Sequence, residues 1–137
     1  MHRDEAAARR ADSRRAAYVE LAASTNRYVQ QSTQLLNVSL GPAKSADDGR
    51  RQFEDGYAPA NTDVARALTT ARLVTTENGR RELERIGALS ARVGETATEK
   101  YARRAGRRRR EEGRRRVRPG RAAAVGGPAS VLGRSGR

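Results

Sequence analysis

Catalysis by acid–base or nucleophilic routes needs activated groups held in fixed geometry, and this chain offers few side chains of that kind. Its single histidine is His2, at a terminus expected to be mobile. Two acidic pairs, Asp47-Asp48 and Glu54-Asp55, carry the chemistry that could move protons or hold a hard cation. Arg50 and Arg51 stand between them, and Gly49 has no glutamate at the offset an EF-hand requires. Solvated charge is the reading these pairs support. The chain has no cysteine, which removes thiolate chemistry, disulfides and cysteine metal sites. It has no phosphate-binding glycine loop, no dinucleotide fingerprint and no helical histidine pair. The sequence therefore predicts no enzyme, no metal and no cofactor.

The other residue type with chemistry to offer is arginine, and its placement is uneven. Residues 1–99 hold 15 Lys+Arg against 14 Asp+Glu, whereas residues 100–137 hold 14 against 2. The basic character thus belongs to the C-terminal part. Arg107, Arg108, Arg109, Arg110, Arg114, Arg115 and Arg116 form two dense runs there. A guanidinium fork matches phosphate geometry, and such a run displaces counterions from nucleic acid. These seven residues are the candidate nucleic-acid contact, of a nonspecific kind, because no aromatic beyond Tyr101 is interleaved for base stacking. An anionic membrane surface attracts the same charge. A third origin competes: of residues 103–137, 13 are Arg, 7 Gly, 5 Ala and 2 Pro, the composition that out-of-frame translation of GC-rich DNA gives.

The elements that would position these residues read as helices. Tyr18, Leu21, Ala22, Thr25, Tyr28, Val29, Ser32, Leu35, Leu36 and Ser39 recur at steps of three and four, one face of a 3.6-residue period. With alanines upstream and Gly41-Pro42 as a stop, the first helix is predicted over 5–39. Residues 41–61, with three glycines and two prolines, read as a connection in which Phe53 and Tyr57 could pin a short turn. A second helix is predicted over 62–75, from an N-cap among Asn61, Thr62 and Asp63. Its β-branched stretch 68–76 makes a strand the competing reading. Asn78-Gly79 reads as a break, and Leu83, Ile86, Ser90, Val93, Ala97 and Tyr101 mark a third helix over 79–101. Residues 102–137 are predicted to be a disordered Arg/Gly-rich tail. The fold class is all-α, a two- or three-helix hairpin or bundle in residues 5–101.

Such a body has little with which to build a core. Leu, Ile, Val and Phe total 20 of 137 residues, a share at which chains of high net charge struggle to fold unaided. The 24 alanines favour helix but bury little area. The stripe Tyr18, Leu21, Tyr28, Leu35 and Leu36 is read first as the core of a hairpin. Its alternative role is an interaction face for a protein partner or a second copy, with the tyrosines as anchors.

Residues 15–21, with Arg15, Tyr18 and Leu21 on a Tyr-x-x-Leu step, and Ala71-Arg72-Leu73-Val74 before a helix start resemble a class of small Ala- and Arg-rich helical proteins of actinobacteria. The similarity runs over residues 10–97. Members of that class often follow the second step with Gly-Pro, where this chain has Thr75-Thr76. The resemblance implies a helical hairpin or bundle and carries over no catalytic or binding residue. Usage of 27 Arg against 2 Lys fits a GC-rich genome.

The N-terminus carries both charge signs and leads into no apolar stretch, which argues against a signal peptide, and no run approaches a membrane span. The expected protein is a cytoplasmic, non-enzymatic helical interaction module, self-associating or within a complex. Nonspecific nucleic-acid binding through the arginine-rich end is the alternative.

Overall fold

The first helix, α1, spans His2–Leu40 and buries one narrow face: Ala17, Leu21, Ser24, Tyr28, Ser32, Leu35 and Ser39. Steps of four, three and four close on an eleven-residue repeat, close enough to the helical period to keep the face straight along the axis. The computed structural model describes the backbone of residues 2–42 and 46–135 and the side chains of 2–42 and 47–117. Among the described residues all regular structure is helical. Residues fall into two compact units, Met1–Tyr101 and Ala102–Arg137.

In the first unit, α1 ends where Gly41 N–H donates to the Asn37 carbonyl at 2.8 Å and Pro42 forbids a further turn. The connection expected over 41–61 is much shorter than the composition suggests. Helix α2 starts at Ala46 and runs to Arg51, a π-helical segment covers Gln52–Tyr57, and α3 covers Ala58–Val74. The three follow one another without a break. The backbone stays in the right-handed helical region at Arg51 and at Ala58, the residues flanking the π segment.

Helix wins over loop here for local and tertiary reasons. Asp47 and Asp48 lie in the first turn of α2, which suits the positive end of the helix dipole, and Arg50 pairs with Asp47 at 3.2 Å. Pro59 lacks the N–H that an α-helix would aim at residue 55. The wider π turn sits directly ahead of it, with Ala58 N–H reaching back to the Phe53 carbonyl. Residues 68–76 contain no strand: Thr69 and Thr70 donate their hydroxyls to the carbonyls of Ala65 and Arg66 at 3.0 and 3.1 Å. That bonding satisfies a β-branched polar side chain inside a helix.

The next break falls at Thr75 and Thr76, earlier than the Asn78-Gly79 break expected from sequence. Thr75 is extended, with φ −77° and ψ 161°, and Thr76 Oγ1 accepts the Gly79 N–H at 3.3 Å, capping the new helix. Gly79 is then simply the third residue of α4, which spans Glu77–Ser135.

Pairwise contacts give the topology. Tyr18 meets Thr75, and Gln31 meets Gln52, so α1 and α3 are antiparallel. Leu68 lies against Gly87, and the Tyr57 hydroxyl against Gly94, so α4 returns antiparallel to α3. The first unit is an up-down-up three-helix bundle. Its core holds Ala17, Leu21, Tyr28, Leu35, Tyr57, Ala60, Val64, Ala67, Leu68, Ala71, Leu83 and Ala97, flanked by Leu36, Phe53, Val74, Ile86 and Tyr101.

The second unit corrects one expectation. Residues 102–117, assigned from composition to a disordered tail, continue α4 as helix. Arginine and glutamate are good helix formers. Glu111 and Glu112 stand four residues from Arg115 and Arg116 and four from Arg107 and Arg108, the spacing at which opposite charges support a helix. The side chains of 118–137, the rest of the expected tail, lie outside the described residues.

Leu35 is fully buried, at 0 % exposure, while its neighbour Leu36 is only half-buried at the core's edge. Leu35→Ala should therefore cost about 2–5 kcal/mol of unfolding free energy. Leu36→Ala should cost distinctly less, as read by denaturant titration of the full chain followed by circular dichroism.

Candidate interaction surface

Four of the five residues proposed as an interaction face are used inside the bundle. Leu21, Tyr28 and Leu35 are buried and Leu36 packs against them. Covering them with α3 and α4 is what holds the fold together, so the face as first drawn is not open to a partner. Tyr18 is the member left at the surface, 39 % exposed, its hydroxyl 2.6 Å from Thr75 Oγ1.

Tyr28 anchors the chain to itself. Its ring centroid lies 5.7 Å from that of Tyr57, and the two hydroxyls are hydrogen-bonded. Phe53 stacks on Tyr57 at 5.6 Å and on Tyr101 at 4.9 Å, the latter pair nearly coplanar at 5°. Four of the five aromatic residues of the chain thus make one continuous cluster. Burial, then the Tyr57 hydrogen bond, push the Tyr28 phenol well above the usual tyrosine range. The cluster closes over Gly94. A Cβ there would collide with the Tyr28 hydroxyl and stand 2.8 Å from that of Tyr57, so only glycine lets α4 come this near.

The uncovered apolar surface lies elsewhere, along the seam between α1 and the start of α4. A groove of about 430 Å³ is lined there by Tyr18, Leu21, Ala22 and Thr25 from α1 and by Gly79, Leu83 and Ile86 from α4, with Asn26 and Glu82 at its rim. Helical spacing carries both walls onward: Val29 follows Tyr18, Ala22 and Thr25 on one edge, and Leu89 and Val93 follow Ile86 on the other. Val29, Leu89 and Val93 are exposed. Thr25 Oγ1, in the groove wall, is buried without a hydrogen-bond partner among the described residues. Sequence reasoning found the α1 edge as part of the stripe but not the α4 edge. Val93 was legible only as a core position, and Leu89 gave no signal.

The residues proposed for other chemistry are dispersed. His2 is exposed in the first turn of α1. Asp47 pairs with Arg50 at 3.2 Å, and Glu54 and Asp55 are exposed on the π segment. Among the described residues, no group of three or more His, Cys, Asp or Glu side chains comes together, and no helix is long and apolar enough to cross a membrane. In the second unit Arg107, Arg109, Arg110, Arg114, Arg115 and Arg116 are exposed and Arg108 is half-exposed. No family model matches the sequence, and no curated protein or solved structure matches it either.

Gly94→Ala should destabilise the full chain by about 1–3 kcal/mol through overpacking, and pairing it with Tyr28→Phe should recover part of that loss, since the clashing hydroxyl is gone. Thermal melts of the two variants and of the double variant test this. The raised Tyr28 value also sets a pH dependence. The unfolded chain ionises this phenol near the ordinary value of about 10, and the folded chain does so only above it. This contribution to stability is intact below about pH 10 and is lost as pH rises further. Alkaline titration of the melting temperature should show the loss, and Tyr28→Phe should flatten it.

Proposed function

We propose that the chain is a non-enzymatic helical interaction module that associates with a second copy of itself through the α1–α4 groove. The observation that carries this reading is the pair of apolar edges that the bundle leaves uncovered, Tyr18 and Val29 on α1 and Leu89 and Val93 on α4. A core built largely from alanine and serine gains little from its own burial, and a mate supplies the area that is missing. A two-fold pair sets the same edges of both copies against each other, which is how closed dimers are built. Near-neutrality over residues 1–99 lets two such bodies approach without mutual repulsion. A cytoplasmic setting belongs to this reading as well.

Sedimentation of the full chain at micromolar concentration should give the mass of a dimer, and the melting temperature should rise with protein concentration. Val29→Asp with Val93→Asp should yield a monomer while leaving the far-ultraviolet helical spectrum in place. A wild-type monomer, or a dimer that survives both substitutions, overturns the proposal.

A second reading is favoured by a separate observation. Between 103 and 116 the chain carries nine arginines and two glutamates on a helix, an arrangement suited to nonspecific contact with a nucleic-acid backbone.

A further inference from the structure

The arginine runs 107–110 and 114–116 repeat at seven residues. On a helix, seven residues are nearly two full turns, so Arg107, Arg108 and Arg109 share faces with Arg114, Arg115 and Arg116, and Arg110 shares one with Val117. Arg109 and Arg116 make one row along α4, and Arg107, Arg110 and Arg114 make another. At about 100° per residue, Ala102, Gly106, Gly113 and Val117 fall in the sector between these two rows. Glu111 and Glu112 fall in the sector opposite. The helix therefore has one face with no carboxylate, floored by small residues and bordered on both sides by guanidinium groups.

Resting on the nucleic-acid reading above, we infer that the 102–117 stretch of α4 docks lengthwise in the major groove of duplex DNA. The carboxylate-free face points to the groove floor, and the two arginine rows reach the two phosphate backbones. Dimensions agree. The groove is about 12 Å wide and admits an α-helix, whose diameter with side chains is about 10–12 Å. Small residues at the centre let the helix backbone sit deep, while the long arginine stems span outward to either strand. Glu111 and Glu112, on the outer side, stay clear of the phosphates.

The same geometry disfavours the competing polyanions. No aromatic side chain occurs in residues 102–117, so bases of a single strand find no stacking platform. Duplex RNA has a major groove too deep and narrow for side chains to read. An anionic bilayer attracts the same charge, but seating a helix in its interface calls for a bulky apolar face, and the only large apolar residue in this stretch is Val117. The floor presents no hydrogen-bonding side chain to base edges, so binding should be largely indifferent to sequence.

The test uses the full chain and a mixed-sequence DNA duplex of some three helical turns. It is run against the same DNA as a single strand, the matching RNA duplex and vesicles of phosphatidylserine. A fifth probe is duplex DNA whose cytosines carry glucosylated hydroxymethyl groups, which fill the major groove and leave the phosphates unchanged. The plain duplex should bind at least about tenfold tighter than the other four at equal salt, with affinity falling by about 0.9 log unit per log unit of salt for each phosphate neutralised. Gly113→Glu, which puts a carboxylate on the groove floor, should weaken duplex binding about tenfold or more, whereas Glu111→Gln with Glu112→Gln should change it by less than about threefold. Circular dichroism of each variant confirms that the helix persists. Equal affinity for plain and groove-filled duplex, or for single strand and duplex, overturns groove docking and leaves the nucleic-acid reading standing. Failure to bind any nucleic acid at low salt overturns both, as does a preference for vesicles.

Discussion

Scarcity of large apolar side chains governs how this bundle is built. Leu35, Ser24 and Ser32 are the largest side chains that are fully buried, and two of the three are smaller than a valine. Helices faced with residues of that size gain burial only by approaching closely, so the interfaces are made of Ala17, Ala60, Ala67, Ala71 and Ala97 with serines between. Gly94 takes the approach to its limit against Tyr28 and Tyr57. Bulk missing from the aliphatic residues is supplied at one end of the bundle by the stack of Tyr28, Tyr57, Phe53 and Tyr101. Small residues and a few rings are complementary parts of one packing solution: the rings need the space that glycine and alanine leave.

Helical periodicity made the fold class legible, and with it most of the buried face of α1. Leu21, Tyr28, Ser32, Leu35 and Ser39 were on the predicted stripe, whereas Ala17 and Ser24 are buried off it and Tyr18, Ala22 and Val29 on it are exposed. The connection was misread. Gly49, Gly56 and Pro59 are ordinary signs of a loop, and nothing local reveals that each has a partner compensating for it. Gly49 lies against the Tyr101 ring, Gly56 lies beneath the hydrogen bond that the Gln52 side-chain amide donates to Gln31 Oε1, and Pro59 follows the wider π turn. The two-residue turn was missed by a few positions for a related reason. Thr75 and Thr76 look like helix or strand until Thr76 is seen to cap α4, whereas Asn78-Gly79 carries a strong turn signal that the cap overrides. At the candidate surface, Tyr18 was legible and its partners across the seam were not, since pairing α1 with α4 is a tertiary fact with no trace in either segment.

Charge and apolar surface are kept apart along the chain. Residues 1–99 are close to neutral and residues 100–137 carry nearly all of the excess positive charge. An apolar association surface works best where the approaching bodies do not repel, and a polyanion contact works best where many like charges act together. Salt therefore bears on the two in different ways. It screens the pull of the arginine rows on a polyanion beyond a Debye length of about 8–10 Å and leaves the desolvation of Val29, Leu89 and Val93 almost untouched.

The π segment at Gln52–Tyr57 gives the middle helix a piece of slack. A π turn holds one residue more than an α turn needs, so the faces of α2 and α3 are offset from each other by a step that a uniform helix could not make. Phe53, near the start of the segment, lies flat on Tyr101, while Tyr57, its last residue, turns to Tyr28. The segment works as a vernier between two registers: α2 and the Phe53 end of the segment can be aligned to α4 independently of how α3 is aligned to α1. A change of chain length by one residue within it would alter that alignment alone and leave the helical phase on either side as it was.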